Sequence, residues 1–257
     1  MKIICISDTH NQHKNLTVPD GDLLIHAGDI TSNGDKEDLI KFNNWLGNLP
    51  HKHKMVIAGN HDFYAESHPE ETKQILSNAI YLNDSGVFIE GLNIWGSPIS
   101  PSFQHWAFMK NRGEDIRKHW EMIPKNTDIL ITHCPPFGIL DKTDSGKNGG
   151  CEDLLEIIQT KIKPRLHVFG HTHEAYGQTQ IADTQYVNAS VVGLNSFVGK
   201  SKLMKWLFKK AVAAYQIVKF IRKKIFKTPV EKLTPKSLAG LSWRVSNPAI
   251  IVELQIT

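Results

Sequence analysis

Five short polar blocks in a chain of 257 residues combine carboxylate, amide and imidazole side chains. Each block follows an apolar run, such as IICIS before the first and LHVF before the last, so each lies where a buried strand is expected to end. Alternate side chains of a strand point the same way, so residues two positions apart can offer two ligands to one point. The blocks are Asp8-Thr9-His10, Gly28-Asp29, Gly59-Asn60-His61-Asp62, Thr132-His133 and Gly170-His171-Thr172-His173.

The donor types in these blocks indicate a catalytic metal site. Oxygen and imidazole donors without a thiolate favour Mn, Fe, Co, Ni or Zn. Taken singly, the residues have ordinary explanations, since Asp8 or Asp29 could cap a helix and Asn60 could lie in a turn. The metal-site interpretation therefore rests on the combination, and only a folded sheet could gather donors so far apart in the sequence.

The order of the blocks resembles the pattern of the calcineurin-like metallophosphoesterase superfamily, which is D-x-H, G-D, G-N-H-[DE], a later H and G-H-x-H. The stretches THCPPFGILD, GGCEDLL, LHVFGHTHEAYG and YVNAS look like the brain metallophosphoesterase-domain proteins and their bacterial relatives. This likeness covers about residues 1–198 and 241–257. It implies the α/β fold of metallo-dependent phosphatases, a four-layer α/β/β/α sandwich of two packed sheets flanked by helices.

The resemblance also implies two divalent transition metal ions, with Mn²⁺ favoured and Fe, Co, Ni or Zn as alternatives. A hydroxide that bridges the two ions would attack phosphorus. Asp29 would bridge the ions, since a carboxylate has two oxygens and a negative charge. The implied ligands are Asp8, His10, Asp29 and His173 for the first ion, and Asp29, Asn60, His133 and His171 for the second.

Two further residues of the G-N-H-D block have implied catalytic roles. His61 resembles the family histidine that binds no metal and delivers a proton to the leaving-group oxygen. Asp62 is expected to orient the imidazole of His61 and to raise its basicity through a hydrogen bond. Together they predict proton delivery near neutral pH.

The charge is distributed unevenly along the chain. Residues 200–236 contain twelve Lys or Arg and one acid, Glu231, while the rest of the chain carries eighteen basic and twenty-five acidic residues. Apolar residues from Leu203 to Ile225 repeat at steps of three and four, which predicts an amphipathic basic helix over 200–227. This helix lies in an insert, 199–240, that precedes the last strand of a single domain covering 1–257.

The motifs and the basic insert allow three interpretations of function. The first is a phosphodiesterase, including action on cyclic nucleotides, or a phosphomonoesterase. The second is a membrane-associated lipid phosphate or pyrophosphate hydrolase that uses the insert as lid or anchor, although such family members typically have Arg where His61 stands. The third is a scaffold whose insert self-associates or binds nucleic acid. Packing on the domain or in a homodimer also explains the helix, and its single Arg222 makes nucleic acid the weakest reading.

The remaining composition favours a cytoplasmic protein, in peripheral contact with the inner face of the membrane if the insert binds lipid. Neither a signal peptide nor a membrane span is expected. The three cysteines, Cys5, Cys134 and Cys151, form no metal-type pair and are expected to be buried, reduced thiols.

Periodicity predicts alternating strands and helices. The expected helices besides 200–227 are 36–48, 67–79 and 151–162. The expected strands are 2–7, 22–27, 54–58, 87–95, 128–132, 165–169, 185–192 and 249–256.

Several other residues receive weaker predictions. His26 and His167 lie in apolar strand runs and are expected in the core. The segment Asp144–Gly150 could present backbone N–H groups to a phosphate or form a flexible loop. The aromatic residues Phe103, Trp106 and Phe108 could stack on a base or cover the core. The histidines expected at the surface are His13, His51, His53, His68, His105 and His119.

Overall fold

Two mixed β-sheets pack face to face in the computed structural model, which describes residues 1–194 and 243–256. The strands, in chain order, are β1 (Lys2–Ile6), β2 (Leu23–Ala27), β3 (His53–Ile57), β4 (Ile80–Tyr81), β5 (Ser85–Ile89), β6 (Leu92–Ser97), β7 (Ser100–Pro101), β8 (Met109–Lys110), β9 (Ile129–Thr132), β10 (Leu166–Phe169), β11 (Gly177–Ile181), β12 (Thr184–Asn188), β13 (Val192–Leu194), β14 (Trp243–Val245) and β15 (Ile250–Glu253).

Both sheets have a parallel centre and at least one antiparallel edge strand. The first has the order β15-β1-β2-β3-β4, in which only β15 runs antiparallel to its neighbour. The second has the order β11-β12-β10-β9-β6-β5, in which β11 and β5 are the antiparallel edges. Because parallel strands end at a common edge, the residues that follow β1, β2 and β3 are brought together, as are those that follow β9 and β10.

Helices cover the outer faces of the two sheets. They are α1 (Lys36–Gly47), α2 (Phe63–Ser67), α3 (Pro69–Ile75), α4 (Glu114–Glu121) and α5 (Glu152–Ile157). A π-helical turn, Ile158–Ile162, extends α5, and 3₁₀ turns occupy His13–Asn15 and His173–Ala175.

Alternation along the strands builds two apolar layers. Ile3 of β1 packs between the sheets, in one cluster with Ile129 of β9. Its neighbour Ile4 packs outward, in a second cluster that contains Phe42 of α1. Strands buried on both faces are apolar at nearly every position, and this explains runs such as IICIS. The layers confirm the predicted four-layer α/β/β/α sandwich.

The structure corrects three predicted elements. The predicted strand 87–95 is a hairpin, since Glu90 and Gly91 have φ of 50° and 82° and reverse the chain between β5 and β6. The predicted helix 67–79 is shortened to α3, which begins at Pro69 because proline disfavours helical backbone in the residue before it, His68, and ends at Ile75. Helix α2, which precedes it, was not predicted. The predicted strand 185–192 ends at Asn188. Helix α4 and strand β11 were not predicted.

The predicted insert 199–240 and its helix lie outside the described residues. The strands on either side of the undescribed range pair with each other, since β13 runs antiparallel to β14 with Val192 opposite Val245. No helix in the described ranges is long and apolar enough to span a bilayer.

Two histidines predicted at the surface are buried. His13 and His51 are each 3% exposed. The ring of His13 packs against Phe42 and Trp45, with centroid distances of 5.4 and 5.3 Å, and His51 Nε2 lies 3.0 Å from the carbonyl oxygen of Pro19. The prediction was wrong because polar neighbours in the sequence do not reveal which helix will fold over a side chain.

The predicted core positions are confirmed. His26 and His167 are fully buried, and their Nε2 atoms lie 2.9 Å from Thr9 Oγ1 and 2.8 Å from Thr132 Oγ1. Burial lowers the pKa of both imidazoles to about 3. All three cysteines are buried and free, and burial raises the pKa of the Cys5 thiol, so it is a poor nucleophile.

The burial of His13 predicts an acid-sensitive fold. Burial, with the nearby charge of Lys14, lowers its pKa from 6.5 to about 4. Between pH 6.5 and about 4, His13 therefore binds a proton in the unfolded chain but not in the folded one. His13 should therefore lower the free energy of unfolding by up to about 1.4 kcal/mol per pH unit as the pH falls from 6.5 to about 4. In urea unfolding, His13→Leu should lose stability less steeply with acid than the wild type, and parallel pH profiles would contradict this.

Candidate metal centre

The four residues predicted for the first metal converge at the carboxyl edges of the sheets. One donor atom from each lies within 4.8 Å of every other. Nε2 of His173 is 3.1 Å from Asp8 Oδ1 and 3.3 Å from His10 Nε2. Nε2 of His10 is in turn 3.7 Å from Asp29 Oδ2. A single cation in this space could meet two carboxylates and two imidazoles.

The residues predicted for the second metal form a neighbouring group. The side-chain oxygen of Asn60 lies 2.9 Å from His133 Nε2 and 2.7 Å from His171 Nδ1. His133 Nε2 is also 3.4 Å from Asp29 Oδ1. Asp29 thus lies between the two groups, with Oδ2 toward the first and Oδ1 toward the second, which is the position that a bridging ligand needs.

Several of these side chains are carried by backbone in the left-handed region. The φ angles are 54° at Asp8, 42° at His10, 53° at Asp29 and 68° at His171. Such conformations cost about 1–3 kcal/mol each in a residue other than glycine, and they persist mainly at functional sites. Hydrogen bonds between strand ends hold them, with Asp8 N donating to the Gly28 carbonyl at 2.8 Å. The strain supports a functional role for this edge.

Two glycines of the polar blocks allow the chain to approach the carboxylates closely. A Cβ atom on Gly59 would overlap Asp29 Oδ1, and one on Gly170 would overlap Asp8 Oδ2. These positions therefore require glycine because of close packing, which explains their place in the G-N-H-D and G-H-x-H blocks.

The charge of the site suits a divalent cation. Burial would raise the pKa of Asp29, but the imidazoles of His133 and His61 lower it well below its usual value. Burial would likewise lower the pKa of His133, but Asp29 raises it to about 9. Burial lowers the pKa of His171 to about 4, which leaves it neutral. The ionised carboxylates thus draw protons onto neighbouring imidazoles, and a bound cation would displace those protons. The donor set therefore fits two divalent transition metal ions.

His61 faces this centre without joining either ligand group. Its Nδ1 lies 3.0 Å from the carbonyl oxygen of Ser32, so Nδ1 carries a hydrogen and donates it. Its Nε2 lies 4.0 Å from Asp29 Oδ2. The side chain is 14% exposed, and its Nε2 edge is directed toward the predicted metals.

The predicted orientation of His61 by Asp62 needs correction. The Asp62 carboxylate accepts hydrogen bonds from the backbone of Ile30, Thr31 and Gly59 at 3.1, 2.9 and 2.8 Å, and from Thr31 Oγ1 at 2.8 Å. Asp62 follows His61 directly and points into the protein, where it joins the segments after β2 and β3. It therefore holds the loops that carry Asp29 and Asn60, while the Ser32 carbonyl binds the His61 ring.

Ser190 supports the centre and was not predicted. Its hydroxyl lies 2.8 Å from Asp8 Oδ2, where it can donate a hydrogen bond, and the backbone N–H of His171 lies 3.1 Å from both oxygens of Asp8. The only sequence signal was the polar end of the stretch YVNAS: Ser190 lies two residues after strand β12 ends at Asn188.

Loss of the Ser190 hydroxyl should weaken metal binding. Ser190→Ala would leave Asp8 freer to rotate, and loss of such a supporting partner typically lowers metal affinity about 10-fold to 100-fold. Calorimetric titration with Mn²⁺ measures the effect. The exposed Ser246, on the segment after β14, provides the matched control Ser246→Ala. Equal affinities in the two variants would contradict the role of Ser190.

The glycine-rich segment Asp144–Gly150 uses several of its own N–H groups. Gly150 N donates to Asp141 Oδ2 at 3.0 Å, and Gly149 N donates to the Asp141 carbonyl at 2.9 Å. Gly146 N closes a turn on Thr143. These bonds argue against the predicted phosphate cradle at these three glycines.

The aromatic residues before α4 have different surroundings. Phe108 is 6% exposed and covers the core, whereas Phe103 is 65% exposed. Trp106 packs on the ring of His61.

Comparisons with known proteins agree with this geometry. The family model of the calcineurin-like phosphoesterases matches residues 1–175, a range that includes every predicted ligand. Human metallophosphoesterase domain-containing protein 1 is 43% identical over 218 residues, which cover 76% of this chain and 67% of that protein. A UPF0046 protein of Caenorhabditis elegans is 39% identical over 227 residues, covering 83% and 77%. A probable cyclic nucleotide phosphodiesterase of Synechococcus sp. is 26% identical over 169 residues, covering 64% and 62%.

Proposed function

The chain belongs to the calcineurin-like phosphoesterase family, and we propose that it is a binuclear metal-dependent hydrolase of phosphodiester bonds. The observation that carries the proposal is the position of Asp29, whose two oxygens face two separate ligand groups. A site for one ion would not need a shared carboxylate. The paired arrangement suits in-line displacement at phosphorus, where both the attacking and the leaving oxygen must be stabilised.

Two divalent ions, with Mn²⁺ the favoured metal, would polarise the phosphoryl oxygens and lower the pKa of a water molecule. The chain's own residues prepare the site for them. Asp8 and Asp29 supply buried negative charge, and His171 is neutral and able to donate a lone pair. The proposed ligands are Asp8, His10, Asp29 and His173 for one ion, and Asp29, Asn60, His133 and His171 for the other.

His61 is the proposed proton donor. Because Nδ1 donates to the Ser32 carbonyl, the proton available for transfer lies on Nε2, which is on the side of Asp29. Protonation matters most for a leaving group that is a poor anion, such as a ribose alkoxide. General acid catalysis of this kind typically contributes about 10²–10⁴ to the rate. Asp62 acts on the loops that carry the ligands, as its hydrogen bonds indicate.

Phosphodiesters are the proposed substrate class, with cyclic nucleotides among them and phosphomonoesters as the alternative. The similarity to the probable cyclic nucleotide phosphodiesterase of Synechococcus sp. supports cyclic nucleotides. The presence of His61 also supports phosphodiesters with poor leaving groups, since a proton donor is of little use when the leaving anion is already stable.

A comparison of esters tests the proposal. Purified protein with added Mn²⁺ is assayed with bis(p-nitrophenyl) phosphate, p-nitrophenyl phosphate and 3′,5′-cyclic AMP, with Asp29→Asn prepared in parallel as the control for contaminating enzymes. Hydrolysis of the diesters in the wild type and not in the variant supports the proposal. Diester rates equal to those of the variant would overturn it, and hydrolysis of the monoester alone would favour the alternative.

The alternatives that involve the basic insert stay predictions. Lipid substrates, membrane contact, a homodimer and, as the weakest, nucleic-acid binding were competing interpretations of residues 199–240, which lie outside the described ranges. No feature of the described residues favours any of them over the proposal above.

A further inference from the structure

The segment between β7 and β8 crosses the turn that carries Asn60 and His61. Ala107 N donates a hydrogen bond to the backbone carbonyl of Asn60 at 3.1 Å. The next residue, Phe108, donates from its N to Glu66 Oε1 at 2.7 Å and accepts at its carbonyl from Ser100 N at 3.0 Å. The segment is therefore fixed to a metal-ligand turn on one side and to α2 on the other.

This attachment places Trp106 directly on His61. The two ring centroids are 4.3 Å apart, with an angle of 37° between the ring planes. Phe63 lies near the indole as well, with a centroid distance of 6.0 Å. Trp106 is half-buried, so the indole has a defined position beside the metal centre.

The contacts of His61 limit the ring from three directions. The Ser32 carbonyl holds Nδ1 at 3.0 Å, His10 meets the ring in a T-shaped contact with a centroid distance of 4.6 Å, and Trp106 covers one face. The hydrogen bond to Ser32 permits the ring to tilt about that bond. The indole face opposes this tilt. The His61 imidazole is thereby held with its Nε2 at 4.0 Å from Asp29 Oδ2.

We infer that Trp106 is a positioning residue for His61, which holds the imidazole so that Nε2 faces the metal centre. The inference rests on the proposed function for its catalytic consequence, because the placement of Nε2 matters when His61 delivers a proton. Its geometric part is independent of activity. Removal of the indole should allow the imidazole to tilt away, and a misplacement of about 1 Å can lower a rate about 100-fold.

Three variants test the inference. Trp106→Ala removes the aromatic face, Trp106→Phe keeps a smaller one, and Phe103→Ala removes an exposed aromatic side chain from the same segment as the matched control. For 3′,5′-cyclic AMP, Trp106→Ala should lower kcat about 10-fold to 100-fold with little change in KM. For bis(p-nitrophenyl) phosphate, whose leaving group is a stable anion, the loss should be much smaller. Trp106→Phe should restore most of kcat, and Phe103→Ala should match the wild type.

A spectroscopic measurement decides the geometric part without catalysis. In NMR spectra of zinc-loaded protein, the NOEs between the carbon-bound ring protons of His61, assigned with His61→Ala, and those of His10, whose ring centroid is 4.6 Å away, should weaken in Trp106→Ala, and Phe103→Ala should leave them unchanged. Unchanged NOEs between the two rings in Trp106→Ala, or equal losses of kcat for both substrates, would overturn the inference. If Trp106→Ala does not fold, Trp106→Leu keeps the apolar bulk without the ring and is compared in its place. A wild type that cleaves no diester would contradict the proposed function, while the NMR comparison would still decide the placement of His61.

Discussion

Asp29→Asn is expected to abolish metal-dependent hydrolysis and to lower affinity for both ions. Asparagine keeps the shape of the side chain and can still accept the hydrogen bond that His61 N donates to Asp29 Oδ1 at 2.8 Å. It lacks the charge and one of the two oxygens that face the ligand groups. Loss of a supporting partner costs about 10-fold to 100-fold in metal affinity, and loss of a shared ligand should exceed that.

The same variant should unfold at a lower temperature than the wild type even without metal. The imidazoles of His133 and His61 hold the pKa of Asp29 well below its usual value, so loss of the Asp29 charge removes a favourable buried interaction from the metal-free fold. Thermal unfolding with and without Mn²⁺ separates the two effects, since a ligand raises Tm only when it binds the folded state. The wild type should show a metal-induced rise in Tm and the variant should not. An equal rise in both proteins would show that Asp29 does not hold the ions.

His61→Ala is expected to separate metal binding from turnover. The His61 ring lies outside the cluster of first-metal donors, so metal content should match the wild type. For cyclic AMP, whose leaving group is an alkoxide, kcat should fall about 10²-fold to 10⁴-fold, the usual contribution of a general acid. For bis(p-nitrophenyl) phosphate the decrease should be smaller, because the p-nitrophenolate ion leaves readily without a proton.

His68→Ala is the control for this experiment, since His68 is exposed and is the residue that follows α2, which separates it in the sequence from His61. It should retain the wild-type rate with both substrates. Equal decreases for the two substrates in His61→Ala would contradict proton delivery and favour a role in binding the phosphate. Loss of metal from His61→Ala would make His61 a ligand.

The residues of the site were predictable because each stands at the end of an apolar run. Parallel strands end at a common edge, so the sequence pattern alone brings Asp8, Asp29 and Asn60 to one place. The family resemblance added the pairing of the two sheets. The structure places the other six predicted ligands around Asp29.

The supporting contacts were less predictable because they join distant parts of the chain. Ser190 and Asp8 are 182 positions apart, and the Asp62 contact with Thr31 spans 31 positions. No local periodicity reports such contacts. The hairpin at Glu90 was missed for a different reason, since glutamate is unusual at a position with positive φ, where Asn or Gly gives the common signal.

The central claim is that two ions held around Asp29 are required for cleavage of phosphodiesters. The most direct test is to remove metal from the purified protein with a chelator and to return Mn²⁺ stepwise, while bound metal and hydrolysis of bis(p-nitrophenyl) phosphate are measured in the same sample. We predict no hydrolysis without metal and a rate that reaches its maximum when two ions are bound per chain. A full rate in the chelator-treated protein, or a maximum reached with one ion bound, would contradict the claim.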